Sequence, residues 1–571
     1  MAYSDNHLKT SRPGTHKVSG RTITTCFDHT MRHLPIYLLF LFLIVAAPLR
    51  GEAVTNENSP KYIVIHICAL STHHMKTEME AGNLPNLEAS FRDHGMIESA
   101  ITYIPSKTPN VISNIRRGIP VEKSRSLSWS WVHKETGESA SSTSVLMDMI
   151  RSVSRTAALN GFYGVPGSHL LSGIALSNLP ELLDDYHVLE FYWFAVDTYG
   201  HLFGEENYLR KLRQFDRQFG KLMRRLDDEV NVIIYSDHGM VFEEGVRIED
   251  EVKTMFGERI TVASYPNLYI DEPTQAKSTA RTILEDTPVD FTFFKSDDSR
   301  VTGFHDHGRI TIRKKEERFY YSYEGEDPFG YYALGYRGEG LTGDEWLYLT
   351  YDMEFPASPV SIYSYFFNPT SGDILMLFDE SKFSRTGYSR SGNHGGFTYK
   401  DMSIPIFLRG PDLKQMYDRE TLWLQDLFLE IDDVPFGHTP ARDDHYLGWR
   451  YNPENNLSTM QVSFSPYYRW RIGTEFDIDG AYDIDNYFFW GKFDLIRGFL
   501  TRLWIGAGVD AGRQDIRPYG FIRHELRYRK LTARSNLSTA GNHSFALEYR
   551  LASLLSIQLV NFNSAGLRLH F

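Results

Sequence analysis

Two short segments, VDTYGH (196–201) and VIIYSDHGM (232–240), decide the fold of this sequence. Each is an apolar run that ends in a pair of chemically versatile residues, an Asp and a His. FYWFAV (191–196) and NVIIY (231–235) have the composition of buried strands, and residues 205–230 between them repeat apolar side chains at helical spacing. A strand, helix, strand unit predicts an α/β protein with a mostly parallel central sheet flanked by helices.

The polar residues that follow these two strands predict a metal site. In an α/β sheet, residues just past the parallel strands lie at the carboxyl edge, where ligands bind. Asp197, His201, Asp237 and His238 are therefore expected at one rim. Two carboxylates and two imidazoles suit a divalent cation, and zinc before magnesium because imidazole is a borderline ligand. The alternative is that each His caps a helix and each Asp begins a turn.

A third segment, SGNHGGFTYKDMSIPIFLRGP (391–411), places His394 in a Gly-rich turn that precedes a helical step and an apolar strand. The three motifs in order are D-x-x-G-H, S-D-H-G-M and N-H-G-G followed by M-S-I-P. In this succession they resemble the alkaline phosphatase superfamily, in its phosphodiesterase and nucleotide pyrophosphatase branch, over residues 61–412. The resemblance implies one hydrolase domain at 58–412, with a cap insertion at about 241–390 that shapes the substrate pocket.

The segment PSKTPN (105–110) resembles the nucleophile turn of that family, which gives Thr108 the role of the catalytic hydroxyl. A hydroxyl at a helix N-terminus is exposed at the sheet edge, and the positive end of the helix favours an alkoxide or a phosphoryl oxygen there. The alternative is that Thr108 only caps the helix, with Pro109 at its first position.

The resemblance also implies two divalent metal ions, in the first place zinc, and a ligand set. The expected ligands are Asp197, His201 and His394 for one ion, and Asp237, His238 and Cys68 for the other. Cys68 departs from the family, which has an Asp at the end of its first strand, here KYIVIHICAL (61–70). A thiolate ligates zinc and disfavours magnesium, but a buried strand Cys is also a common small hydrophobe. His66 points to the same face of the strand and is a further candidate ligand.

The expected function is a metal-dependent phosphoric ester hydrolase that acts on a phosphodiester or pyrophosphate through a phosphothreonine intermediate. The alternative is a pseudoenzyme, an envelope binding or structural protein that kept the fold but lost full metal occupancy at the Cys68 position. The net charge of -13 and the pI of about 5.9 argue against a nucleic-acid backbone binder, which normally carries a basic face.

The N-terminal segment predicts export. Residues 34–49 form an apolar run shorter than the roughly twenty residues that a spanning helix needs. Residues 31–53 are therefore predicted to be a secretory signal, with residues 1–30 an over-extended start; an uncleaved membrane anchor is the alternative. Of the two cysteines, Cys26 precedes the expected cleavage, so the mature chain would hold Cys68 alone and no internal disulfide.

The C-terminal part, 446–571, follows a linker at 413–445 and predicts an all-β, barrel-like domain. It consists of runs of about ten residues that alternate apolar or aromatic with polar side chains, between Gly, Asn and Asp turns. This pattern is typical of a transmembrane β-barrel, for which about eight strands are expected. The ending resembles the C-terminal signal of bacterial outer-membrane barrels, in Gly566, Leu567, Leu569 and Phe571. The expected location is the periplasm and outer membrane of a Gram-negative bacterium; a soluble β-sandwich or a lid on the enzyme is the alternative.

Overall fold

The computed structural model describes residues 60–152, 157–158, 172–183, 187–431, 434, 436, 446–467, 470–479, 484–497, 501–512, 516–539, 541, 543–552 and 555–570. The predicted extension at 1–30, the predicted signal at 31–53 with its apolar run, and Cys26 lie outside the described residues, as does the terminal Phe571.

A six-stranded mixed sheet forms the centre of the α/β part. Its strands, in spatial order, are β2 (Gly95–Ile101), β17 (Ser403–Arg409), β7 (Val230–Ser236), β1 (Lys61–Ile67), β6 (Val188–Trp193) and β5 (Ala157–Ala158). Only β17 runs against its neighbours, and the other described pairs are parallel. Strand β1 is buried along nearly its whole length, as expected of a parallel strand with both faces covered. The predicted fold class is confirmed.

Helices cover the sheet and carry the turns around its rim. They are α1 (Thr72–Glu80), α2 (Pro85–Phe91), α3 (Thr108–Asn114), α4 (Ser142–Ser152), α5 (Ser172–Leu176), α6 (Leu179–Leu182), α7 (Ala195–Phe203), α8 (Glu205–Met223), α9 (Ile248–Phe256), α10 (Ala276–Asp286), α11 (Gly343–Thr350), α12 (Ser358–Phe366), α13 (Tyr399–Met402) and α14 (Leu427–Glu430). The apolar stripe of α8, which includes Leu212, Phe215 and Phe219, packs on Ile63 and Ile65 of the sheet. The predicted strand, helix, strand unit is thus present.

One predicted boundary is wrong. The sequence predicted a strand at 191–196, but the strand ends at Trp193 and α7 begins at Ala195. Ala195 and Val196 are as deeply buried in the helix as Trp193 is in the strand, so the run of apolar residues continues across the junction. Hydrophobicity alone therefore cannot show where such a strand ends. Asp197 consequently lies in the first turn of a helix.

The segment between β7 and β17 adds a second, antiparallel sheet of seven strands. In spatial order these are β14 (Arg318–Gly325), β13 (Gly308–Lys315), β12 (Arg300–His305), β11 (Phe291–Asp297), β15 (Ile374–Leu377), β10 (Asn267–Ile270) and β9 (Ile260–Ser264). An aromatic group that includes Phe291, Phe329 and Phe397 joins this sheet to one face of the central sheet in a single core. Two short two-stranded sheets complete the α/β part. They are β3 (Trp131–Val132) with β4 (Ser139–Ala140), and β8 (Glu244–Val246) with β16 (Lys382–Ser384).

The C-terminal part is a closed barrel of ten antiparallel strands. They are β18 (Tyr446–Asn452), β19 (Leu457–Tyr467), β20 (Trp470–Ile478), β21 (Ile484–Arg497), β22 (Thr501–Gly512), β23 (Ile516–Tyr528), β24 (Leu531–Ser538), β25 (Ser544–Ala552), β26 (Leu555–Val560) and β27 (Ser564–His570). Pairing of β18 with β27 closes the ring. The expected eight strands are wrong, because four strands are eight residues or shorter and the turns leave room for two more.

The barrel has polar side chains inside and apolar side chains outside, the reverse of the arrangement in a soluble protein. Along β27, Leu567 and Leu569 are about half exposed, whereas Arg568 and His570 are buried in the lumen. Apolar residues point outward on the other strands too, among them Trp449, Ile472, Phe489, Ile505, Val509, Ile522, Leu526, Leu537, Leu551, Ile557 and Leu559. The buried polar residues include Gln461, Arg471, Asp477, Lys492, Arg502, Glu525, Glu548, Ser556 and Gln558.

An ion-pair network crosses the lumen. Arg534 contacts Glu525, with Nε 2.6 Å from Oε2, and also pairs with Glu548. Glu548 in turn pairs with Arg568 at 2.5 Å and lies 3.2 Å from His570. A cavity of about 480 Å³ lies on one side of this layer, towards the connections that follow β18, β20, β22, β24 and β26.

Within the described part of the chain, none of the helices has both the length and the apolar character that crossing a membrane requires.

Candidate active site

Seven side chains predicted from the sequence meet at the rim of the central sheet. They are Cys68, Thr108, Asp197, His201, Asp237, His238 and His394, and each is at most 4% exposed. Their possible ligand atoms form overlapping groups: Asp197 with His201 and His394, Cys68 with Asp197 and His238, and Cys68 with Asp237 and His66. Within each group, the atoms lie within 4.8 Å of one another. The expected juxtaposition of all seven is therefore present.

Three imidazoles are held in one tautomer by backbone carbonyls. Nδ1 of His201 is 2.9 Å from the oxygen of Gly392, and Nδ1 of His394 is 2.7 Å from that of Ser106. Nδ1 of His238 is 2.9 Å from its neighbour's oxygen, that of Gly239. A carbonyl can only accept, so each Nδ1 carries the hydrogen and each neutral ring presents a lone pair on Nε2.

These Nε2 lone pairs point at carboxylate oxygens. Oδ1 of Asp197 is 3.1 Å from Nε2 of His201 and 3.5 Å from Nε2 of His394. Neither oxygen of Asp197 has a hydrogen-bond partner among the described residues. Two acceptors that face each other in a buried site are repulsive, and a shared cation or proton removes the repulsion. The donor set of one carboxylate and two imidazoles fits a divalent metal ion.

The charges of the site follow from burial and from these neighbours. Burial alone would raise the pKa of Asp197, but the imidazoles of His201 and His394 lower it well below its usual range. Asp237 behaves in the same way: burial opposes ionisation, and His238 and His66 lower its pKa further than burial raises it. Both shifts require a positive charge or a donor hydrogen beside the carboxylate, which a protonated imidazole or a bound cation supplies.

The imidazoles do not all titrate alike. Burial and the neighbouring His238 hold the pKa of His394 well below its ordinary value, so this ring is neutral. For His238, burial lowers the pKa, but Asp237 raises it by more. The two rings are stacked with their centroids 3.5 Å apart, a distance at which both cannot be protonated at low cost.

Thr108 is the first residue of α3 and does not cap it. The N-cap is Lys107, and no side chain makes a capping hydrogen bond at this end. Oγ1 of Thr108 instead lies 3.0 Å from Nε2 of His238 and 3.7 Å from Sγ of Cys68. The interpretation of Thr108 as a plain N-cap is therefore wrong. Its hydroxyl faces the ligand groups of the site.

Cys68 follows β1 directly and faces the same cluster. Its Sγ donates to Oδ2 of Asp237 at 3.4 Å. Burial, and then the charges of Asp197 and Asp237, raise the pKa of this thiol well above its ordinary value. The group is thus a thiol in the absence of a cation, and a divalent ion is the agent that would make it a thiolate.

The next residue, Ala69, has a left-handed backbone with φ 66°, which directs its N–H to Oδ1 of Asp237 at 3.1 Å. A non-glycine residue in this region costs of order 1 kcal/mol, so the turn is retained for the contact that it makes.

Sequence reasoning did not identify the hydrogen bonds that tie the nucleophile turn to the loop of His394. Oγ of Ser106 donates to the carbonyl of Gly396 at 3.1 Å and accepts from the N–H of Gly395 at 3.0 Å. Nζ of Lys107 donates to the carbonyl of His394 at 2.9 Å. The signal available in the sequence was the S-K pair directly before Thr108, but its partners lie almost three hundred residues away along the chain.

Lys107 also brings an ionisable group next to the nucleophile. Burial lowers its pKa to about 8, and the carboxylates of Glu249, Asp401 and Asp197 oppose this shift. Burial likewise raises the pKa of Asp401 to about 7, although Lys107 acts against it. Both groups therefore change charge closer to neutral pH than a free lysine or aspartate does.

The chain was compared with known proteins. Residues 87–327 match the family model described as type I phosphodiesterase / nucleotide pyrophosphatase. The matched span contains Thr108, Asp197 and Asp237 and excludes Cys68 and His394. A search of curated proteins found no match.

Solved structures include similar chains. Murine ectonucleotide pyrophosphatase / phosphodiesterase 5 is 14% identical, with a TM-score of 0.43, over 65% of this chain and 93% of its own. The human protein of the same name is 13% identical, with a TM-score of 0.41, over 66% of this chain and 96% of its own. An inactive variant of the murine protein in complex with AMP is 14% identical, with a TM-score of 0.43, over 65% and 94%.

The Ser106 hydrogen bonds generate a stability prediction. Ser106→Ala leaves a buried N–H and a buried carbonyl without their partner, which costs about 1–3 kcal/mol and lowers the midpoint of thermal unfolding by several degrees. The matched control is Ser144→Ala: Oγ of Ser144 also accepts from an N–H and donates to a carbonyl, each at 2.9 Å to Ser141, but at an exposed position. The control is expected to change stability by less than about 0.5 kcal/mol. Equal midpoints for the two variants in a thermal scan would contradict the prediction.

Proposed function

We propose that the type I phosphodiesterase / nucleotide pyrophosphatase domain to which residues 87–327 belong makes this protein a metal-dependent hydrolase of phosphodiester or pyrophosphate bonds. The family acts on such bonds. The reaction of this chain would need divalent metal ions, with zinc favoured, and would pass through a phosphothreonine at Thr108.

The observation that carries the proposal is the orientation of the three imidazoles. Backbone carbonyls hold the Nδ1 hydrogens of His201, His238 and His394, so that their Nε2 lone pairs face Asp197 and Asp237. A protein that used these residues only for packing would gain nothing from aligning acceptors against acceptors. The hydroxyl of Thr108 lies beside this set, 3.0 Å from His238.

The residues divide into two ligand sets. Asp197, His201 and His394 would hold one ion. Asp237, His238 and Cys68 would hold the other next to Thr108, and this set, with its thiolate and imidazole, favours zinc over magnesium. When bound, the ions would supply positive charge that polarises the phosphoryl group and acidifies the hydroxyl and water groups beside them.

The proposed hydrolysis has two steps, both at the same phosphorus atom. Oγ1 of Thr108 attacks phosphorus, the bond from phosphorus to the leaving oxygen breaks, and the proton of the hydroxyl passes to the solvent or to the leaving group. The product is a phosphothreonine and an alcohol or a phosphate ester. Water then attacks the same phosphorus, the Oγ1–phosphorus bond breaks, and Thr108 regains its proton.

Thr108→Ala tests the nucleophile. Removal of the attacking oxygen is expected to lower the hydrolysis rate of an aryl phosphodiester by about 10³-fold or more. The zinc content of the purified protein, measured by elemental analysis, should remain at two ions per chain, because the other donors are unchanged. Thr254→Ala, at an exposed helical position, is the matched control and should keep full activity.

Two results would contradict the proposal. A wild-type protein with no bound metal and no turnover favours the pseudoenzyme alternative, in which the Cys68 position no longer supports catalysis. A Thr108→Ala variant as active as the wild type would exclude the phosphothreonine even if the hydrolase activity is real.

We also propose that the barrel anchors the protein in the outer membrane of a Gram-negative bacterium. An apolar outer surface and a polar, ion-paired lumen are the arrangement that a barrel in lipid requires. In water the same residues would form an exposed apolar surface, and large exposed apolar surfaces are rare on soluble monomers. The predicted secretory signal at 31–53 would supply the export that this location needs.

The proposed lipid contact predicts a depth-dependent effect of charge. Ile505 is 45% exposed near the middle of β22, and Ile516 is 68% exposed at the start of β23, next to a connection between strands. Ile505→Arg is expected to destabilise the barrel in vesicles by about 2–4 kcal/mol and Ile516→Arg by about 0–1 kcal/mol. Urea unfolding, followed by the heat-modifiable shift of the folded band on a gel, measures both. Equal, small effects would argue for a water-exposed barrel.

We infer the side of the membrane that the hydrolase would occupy from the lengths of the connections between strands. The even number of strands places Tyr446 and His570 at one end, where they pair with each other. The connections at that end, such as the one from Tyr528 to Leu531, have two or three residues, whereas those at the other end have three to five. In outer-membrane barrels the shorter turns face the periplasm. The hydrolase precedes Tyr446, and Asn178 accepts a hydrogen bond from the N–H of Arg529 at 2.7 Å, so we place it in the periplasm.

Cysteine labelling checks this orientation. Cys68 is buried, so a new thiol on the surface reports its own side of the membrane. Asn455→Cys, in the connection after β18, is expected to react with a membrane-impermeant maleimide on intact cells. Lys253→Cys, on an exposed face of α9, should react only after the outer membrane is permeabilised. The reverse pattern would place the hydrolase outside the cell, and absence of both variants from outer-membrane fractions would refute the anchor itself.

A further inference from the structure

We infer that His66 is a positioning residue for Asp237 and not a ligand of the second cation, an inference that rests on the proposed metal binding. His66 lies on β1, is 1% exposed, and has Nε2 3.1 Å from Oδ1 of Asp237. The proposed role is to hold one oxygen of that carboxylate, so that the other oxygen faces the cation site.

The two oxygens of Asp237 have different surroundings. Oδ1 accepts from the N–H of Ala69 and from the N–H of His238, each at 3.1 Å. Nε2 of His66, at 3.1 Å, is a third nitrogen beside this oxygen. Oδ2 instead faces Sγ of Cys68 at 3.4 Å and Nε2 of His238 at 3.1 Å. The protein thus occupies Oδ1 and leaves Oδ2 towards the groups that would share a metal ion.

The hydrogen of His66 lies on a different nitrogen from those of the three ligand imidazoles. Neither nitrogen of His66 makes an aligned hydrogen bond with a described residue, and Nε2 is the one that lies beside a carboxylate oxygen, 3.1 Å from Oδ1 of Asp237. Its ring is enclosed by aromatic side chains, stacked on Tyr235 with centroids 5.1 Å apart and edge-on to Tyr192 at 5.2 Å. No carbonyl therefore holds a hydrogen on Nδ1. The favourable tautomer places it on Nε2, towards Oδ1, because a carboxylate oxygen accepts hydrogen bonds and would repel a bare lone pair.

This difference separates His66 from a ligand. A ring that carries its hydrogen on Nε2 offers the cation no lone pair at that atom, whereas His201, His238 and His394 all do. The contact with Oδ1 is not aligned as a hydrogen bond, so its effect on Asp237 is chiefly electrostatic. Residues that orient a ligand in this way typically change metal affinity by about 10–100-fold.

Cobalt titration of the full chain, in detergent and stripped of metal, tests the inference. A thiolate bound to Co²⁺ gives a near-ultraviolet charge-transfer band, which reports the cation beside Cys68 independently of activity. His66→Phe keeps the ring and its stacking but removes the N–H, and it is expected to weaken this cation's affinity by about 10–100-fold while the band keeps its shape. His66→Gln restores an N–H donor and should recover most of the affinity.

Three results would overturn the inference. A His66→Phe variant that binds Co²⁺ as tightly as the wild type shows that His66 does not orient Asp237. A His66→Gln variant as weak as His66→Phe, with a changed visible spectrum in both, shows that His66 is a ligand. Absence of the band from the wild-type protein would mean that no cation binds beside Cys68, which contradicts the proposed metal site on which the inference rests. Should His66→Phe not fold, as judged by the thermal transition of the metal-free protein, His66→Met carries the same comparison.

Discussion

The donation of three imidazole hydrogens to backbone carbonyls is the interaction on which the rest of the site depends. Because Gly392, Ser106 and Gly239 hold the Nδ1 hydrogens, the opposite nitrogens of the neutral rings present lone pairs. The carboxylates then face lone pairs, and a positive charge is needed between them. The polypeptide backbone, and not only the choice of side chains, therefore defines the chemistry of the rim.

The two parts of the chain bury their apolar and charged side chains in opposite places. The α/β part buries apolar residues in its cores, and the buried residues Cys68, Asp197 and Asp237 lie together at one edge of its central sheet. The barrel buries its charges along the lumen, where Arg534, Glu548 and Arg568 neutralise one another, and presents leucine and isoleucine outside. One chain thus contains one part with apolar cores and one part with a polar lumen and an apolar outer surface.

The sequence predicts the fold class and the meeting of the candidate residues well, because both follow from local pattern. Apolar runs that end in Asp and His place Asp237 and His238 at a sheet edge whatever the details of the loops. The boundary before Asp197 was not predictable, since Ala195 and Val196 are buried in a helix as fully as in a strand. The contacts of Ser106 and His66 were not predictable either, because they depend on how distant loops and strands meet. The number of barrel strands depends on strand lengths, which alternation does not fix.

Strand β17 lies between β2 and β7, although these strands precede it by long stretches of chain. Until residues 403–409 are in place, the central sheet consists of two separate pieces with unpaired edges. His394 arrives just before this strand and closes the set around Asp197. Assembly of the candidate site is therefore coupled to insertion of the last central strand, because a chain that ends before residue 394 lacks one of the three candidate ligands around Asp197. Completion of the sheet and completion of the candidate ligand set thus depend on the same segment of chain.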